Sequence, residues 1–84
     1  MMHYLIACRS LTYAQRTVRA LSGAGISSRL LRTPKSVASE GCGYSVRIAA
    51  DRLKAAVTAL TRQDLRPKKI YVAEQDGQYR EVVF

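Results

Sequence analysis

The chain has 84 residues, 48% of them hydrophobic and 7% aromatic, enough for one domain over residues 1–84 with a core of modest size. Fourteen Lys and Arg stand against six Asp and Glu, a net charge of +8. That balance favours acidic partners or a well-solvated basic surface, and charge alone does not choose between them. No apolar run approaches the ~18–20 residues of a membrane helix. The start, MMHYLIAC, is too short for a secretory leader and lacks its basic residues. A cytoplasmic location with no membrane association is expected, and there two cysteines read as reduced thiols rather than a structural bridge.

His3–Cys8 reads as a first strand, apolar enough to be buried on both faces. Arg9–Ala24 reads as a helix. Either Ser10 or Thr12 can cap it, and Thr12 with Gln15 fits a capping box; Ala14, Val18 and Leu21 fall on one face, and Gly23-Ala24-Gly25 stops it. Ile26–Thr33 is a second strand ended by Pro34, which lacks a ladder donor. The polar segment Lys35–Gly43 follows. Tyr44–Ala49 resumes the alternation of a third strand, with Tyr44, Val46 and Ile48 on one face. Asp51 is placed to cap a second helix running to about Gln63, with an inner stripe of Leu53, Ala56, Val57 and Leu60. Lys68–Glu74 is a fourth strand, and Asp76-Gly77 signals a two-residue hairpin to a fifth, Tyr79–Phe84.

The order β-α-β-β-α-β, with right-handed crossovers and short connections, predicts an α+β ferredoxin-like sandwich with an added C-terminal hairpin strand. Strands one and three are then neighbours. The end of strand one, the start of helix one, the end of strand two and the starts of strands three and four share one edge. That placement matters for Cys42, which stands between Gly41 and Gly43. The glycines remove side chains on both sides of the thiol and open positive φ angles to the backbone, as a presented sulfur requires. Arg9, Arg32, Lys35, Lys68 and Lys69 and the helix amino terminus are expected nearby. Each of these lowers a thiol pKa from its usual ~8.5. Cys42 is thereby a candidate thiolate. Cys8 ends an apolar strand and reads first as a small buried hydrophobe, second as a resolving thiol.

Other chemistry finds less support. No CxxC occurs and His3, the only histidine, stands at the far end of strand one from Cys8, so no metal site is expected. His3 reads as an exposed amino-terminal residue. The acids are scattered, and neither GxxxxGK[ST] nor GxGxxG is present, so no cofactor is implied.

The segment Thr33-Pro34-Lys35, Val37, Ser39, Cys42-Gly43 and Ser45-Val46-Arg47 resembles the signature of the selenium/sulfur carrier-like proteins, a family of small bacterial domains. The layout agrees from residue 3 to about 73. The resemblance implies that Cys42 holds sulfur or selenium, as a persulfide or selenosulfide, for transfer between donor and acceptor proteins. It also makes Lys35 and Arg47 basic positions of the family pattern. A carrier rather than an enzyme is expected, since no base is placed to orient the thiol.

Two alternatives come from other classes. RNA-recognition domains share the predicted topology, but Glu40–Arg47 keeps only the two glycines and Tyr44 of their third-strand pattern, losing the aromatics that stack on bases. Backbone contact to nucleic acid through Arg16, Arg19, Arg29 and Arg32 is the weaker form of that reading. A non-catalytic interaction domain is the other alternative, with Arg80–Phe84 as an edge strand able to pair a homodimer.

Overall fold

The computed structural model describes residues 3–34, 43–67, 69–74 and 77–82. It is an α+β structure: five strands in one antiparallel sheet and two helices, in the order β1 (His3–Cys8), α1 (Leu11–Gly23), β2 (Arg29–Arg32), β3 (Tyr44–Ala49), α2 (Leu53–Arg62), β4 (Lys69–Ala73) and β5 (Tyr79–Val82). The sheet order is β2-β3-β1-β4-β5. β1 lies between β3 and β4, with Ile6 opposite both Val46 and Ile70. Both helices pack on the face carrying these residues: Ala14 and Leu21 of α1 and Ala56 and Leu60 of α2 join Ile6, Cys8, Val46, Ile48 and Ile70 in one buried cluster. The inner stripes of both helices were legible in their 3.6-residue spacing, except that Thr17 joins the first. Its hydroxyl donates to the Tyr13 carbonyl at 2.9 Å, so it is buried without an unmet donor. No helix among the described residues is long and apolar enough to cross a membrane.

Several expected boundaries move. α1 is capped by Ser10, whose extended backbone lets Oγ accept from the Tyr13 amide at 3.1 Å; Thr12 lies inside the helix, so the Thr12–Gln15 capping box does not form. Asp51 does not cap α2. A 3-10 turn over Ala50–Arg52 precedes that helix and takes Asp51 into its own first turn. β2 is shorter than Ile26–Thr33 because Ile26 closes α1 instead of starting a strand. The Ile26 amide donates to the Leu21 carbonyl and that of Gly25 to Ser22, with Gly25 at φ +77°. This is a Schellman motif, its buried Ile26–Leu21 pair forming the apolar contact that accompanies it. α2 ends the same way: the Leu65 amide donates to Leu60 and that of Asp64 to Thr61, with Asp64 at φ +56°.

The hairpin is wider than the sequence suggested. The Glu74 amide donates to the Gln78 carbonyl at 2.8 Å, leaving residues 75–77 between them and Gly77 at φ +83°. Asp76 and the expected strand end at Phe84 lie outside the described residues.

The two helix ends give opposite mutational signs. Gly25 has open space where a Cβ would stand, so Gly25→Ala meets no clash and loses only the left-handed backbone preference, about 1 kcal/mol. Asp64→Gly relieves the same strain and gains up to about 1 kcal/mol. Thermal unfolding should show midpoints moved in opposite directions, by roughly 4–8 °C per kcal/mol for a chain of this size.

Candidate functional site

One edge of the sheet collects the elements around the cysteine segment. Arg32 at the end of β2, Tyr44 at the start of β3 and Cys8 at the end of β1 stand side by side in register. Ser10, two residues beyond Cys8, opens α1 at the same edge. Thr33 and Gly43 close the connection between β2 and β3: the Thr33 amide donates to the Gly43 carbonyl at 3.0 Å, and the Thr33 and Ser45 hydroxyls share a hydrogen bond of 2.6 Å. The two residues that flank 34–42 in the chain are thus bonded to each other. Cys42, Gly41 and Lys35 lie outside the described residues, as does Lys68.

The cations at this edge are held by aromatic rings. The Arg9 guanidinium lies 5.0 Å from the Tyr13 ring centre and that of Arg32 5.3 Å from Tyr44. Each such contact is worth about 0.5–1 kcal/mol at an exposed site, enough to restrict a long side chain without neutralising it. The Tyr13 hydroxyl accepts from the Arg66 amide at 2.7 Å, tying the first turn of α1 to the segment entering β4. Lys69 opens β4 opposite Ala7, with its ammonium 3.7 Å from the Glu81 carboxylate. The Thr33–Ser45 pair and Tyr13 were not singled out from sequence. A threonine before proline and a serine in an apolar strand are weak signals until the register puts them together.

Gly43 corrects one expectation. Its φ is not positive, unlike those of Gly25 and Gly77, so conformational freedom does not explain it. A Cβ there would sit 3.9 Å from a guanidinium nitrogen of Arg32, an ordinary contact. Neither backbone conformation nor space beside Arg32 therefore requires glycine at 43.

Cys8 is wholly buried in the helix-facing core; its thiol lies 3.5 Å from the Ile6 carbonyl and 3.8 Å from Thr17 Oγ1. Arg47 stands apart from the cysteine edge. It is opposite Leu5 and Arg29, and it lines a cleft with His3 at the other end of β1. His3 is not the exposed residue the sequence suggested. Its Nδ1 is buried and its ring meets Tyr79 edge-on at 6.1 Å between centres, because pairing of β1 with both β3 and β4 draws the chain start into the sheet.

Two tests follow from this geometry. Thr33→Val keeps the shape of the side chain and strands the buried Ser45 hydroxyl, so a loss of about 1–3 kcal/mol in denaturant unfolding is expected, with Thr33→Ser restoring most of it. Burial, followed by the nearby Arg47 charge and the amino-terminal charge, lowers the His3 pKa below its ordinary 6.5. The unfolded chain then binds a proton more readily than the folded one, so His3 favours the fold above pH 6.5 and disfavours it as pH falls from there through the lower folded value. His3→Gln should flatten that part of the stability–pH curve, read by unfolding at closely spaced pH values; an unchanged slope counts against it.

No curated protein and no solved structure matches the chain significantly. A family model does, over residues 3–72, from the start of β1 to within β4, and its description reads "Putative Se/S carrier protein-like". That span takes in both helices and the whole edge built around Thr33 and Gly43, and the chain belongs to this selenium/sulfur carrier-like family.

Proposed function

We propose that this protein is a small cytoplasmic carrier, a single ferredoxin-like domain over residues 1–84, that holds one sulfur or selenium atom on Cys42. The strand order β2-β3-β1-β4 with two helices on one face supports the ferredoxin-like reading, β5 being the added strand. Family membership supports the cargo. The observation that carries the choice of residue is the closure of segment 34–42 by Thr33 and Gly43, at the edge that also holds Arg9, Arg32 and the amino end of α1. Cys42 is bonded directly to Gly43, and these cations and amides favour a thiolate over a thiol.

The transfer needs no oxidant. The Cys42 thiolate attacks the outer sulfur of a donor protein's persulfide, the donor S–S bond breaks, and the donor cysteine leaves as a thiolate. Cys42 then carries the persulfide, its terminal sulfur holding the proton that the donor's terminal sulfur brought. An acceptor reverses the step. With a terminal selenium in place of sulfur the same exchange yields a selenosulfide. Lys35 and Arg47 are the basic positions of the family pattern, Gly41 and Gly43 leave room beside the sulfur, and Cys8 serves as a core residue. Arg16, Arg19 and Arg62 border a groove between the ends of α1 and α2 and have no acidic partner among the described residues, which supports docking on an acidic face of a donor or acceptor.

The decisive experiment is intact mass under non-reducing conditions after incubation with a cysteine desulfurase and cysteine. A gain of one sulfur that dithiothreitol removes is expected for the wild type and for Cys8→Ala, and its loss is expected for Cys42→Ser. An adduct that survives Cys42→Ser, or none on the folded wild type, removes Cys42 from the carrier role.

A further inference from the structure

At the end of the sheet away from the cysteine edge, His3, Ser28, Arg29, Arg47 and Ile48 line a cleft of about 450 Å³. Four observations there point the same way. Arg29 and Arg47 are directly opposed across β2 and β3, an arrangement in which like charges repel. Neither has an acidic partner among the described residues, and Glu74 and Glu81 are committed to Arg80 and Lys69 on the other side of the sheet. Ser28 Oγ is buried with no hydrogen-bond partner. So is Nδ1 of His3. A buried polar atom left unmet costs about 1–3 kcal/mol, and two of them beside one cleft with an opposed arginine pair is an unusual concentration of unmet demand.

We infer that this cleft binds a tetrahedral oxyanion, a phosphate group, through Arg29, Arg47 and Ser28 with the His3 ring beside it. An anion between the two guanidinium groups converts their repulsion into two charge-assisted contacts. The Ser28 hydroxyl reaches a third oxygen by rotation about χ1, and the His3 ring lies beside the bound anion. A planar carboxylate offers two oxygens to these donors, whereas a phosphate group offers three or four. The cleft falls within the ~300–1,000 Å³ of organic-ligand sites, roomier than a bare oxyanion needs, so a phosphomonoester suits it as well as inorganic phosphate. This site makes no use of Cys42, and its failure would leave the carrier reading intact.

His3 is the only histidine, so its ring protons give an unambiguous NMR signal within the cleft. The wild-type chain is titrated at pH 7.5 with inorganic phosphate and with glycerol phosphate, each against chloride at matched ionic strength. A saturable shift of the His3 signals with either phosphate and none with chloride is expected; tighter binding of the ester identifies an organic phosphate as the better ligand, and equal binding identifies the oxyanion alone. Arg47→Gln should weaken binding by about ten-fold or more, the worth of one charge-assisted hydrogen bond. Arg29→Gln is the parallel test if Arg47→Gln does not fold, and Lys54→Gln, exposed on α2, should bind as the wild type does. A shift that tracks ionic strength whatever the anion, or phosphate binding unchanged in a folded Arg47→Gln or Arg29→Gln variant, overturns the site.

Discussion

The double burial of β1 is the constraint from which the rest of the molecule takes its coordinates. Leu5, Ile6, Ala7 and Cys8 are all buried although both helices cover only one face of the sheet. Ile6 and Cys8 point into the helix-covered core. Leu5 points the other way, in register between Arg47 and Tyr71, whose long side chains flank it. A strand whose two faces are both withdrawn from water cannot slip by one residue without exchanging them, so its register with β3 and β4 is fixed strongly. Burying Leu5 and Ile6 is worth roughly 1.5–3 kcal/mol each, a large share of the stability of a chain this small.

Fixing β1 fixes its two ends, and those ends carry different chemistry. At Cys8 the sheet edge meets the start of α1 and the Thr33–Gly43 closure, with arginines restrained on tyrosines. At His3 the sheet edge meets the start of β2, with arginines opposed to each other. The contrast lies in how charge is compensated. Arg9 and Arg32 rest on π faces, which hold a cation in place and leave its charge available. Among the described residues Arg29 and Arg47 have no acidic partner, so the two ends of β1 differ in how their cations are held.

The sequence was legible where periodicity and local sterics agree. β1 and β3 match their expected limits residue for residue, since unbroken apolarity in one and strict alternation in the other admit little else. It was misleading where two local devices compete for the same residues. Ser10 and Thr12 are both good caps, and only the course of the chain out of β1 favours Ser10. Ile26 reads as the start of a strand because it is β-branched and apolar, yet the Schellman closure of α1 claims it first. Asp64 was invisible as a helix terminator because an aspartate at positive φ looks like any other exposed aspartate. The His3 cleft could not be read at all. Its members come from three places in the chain, and only the register of β1 and β2 against β3 assembles them.

Cys8 shows how burial withdraws a thiol from exchange with other proteins. Cys8 is enclosed between β1 and α1, with Thr17 and the Ile6 carbonyl beside its sulfur. An incoming persulfide on another protein cannot reach it without separating α1 from the sheet, and α1 is held there by Ala14 and Leu21. Cys42 follows a proline-containing polar segment and directly precedes Gly43, whose carbonyl accepts from the Thr33 amide. For transfer between two different proteins, the sulfur must meet each in turn without unfolding its own support. Cys8 does not satisfy that requirement, and it contributes instead to the packing that holds α1 on the sheet.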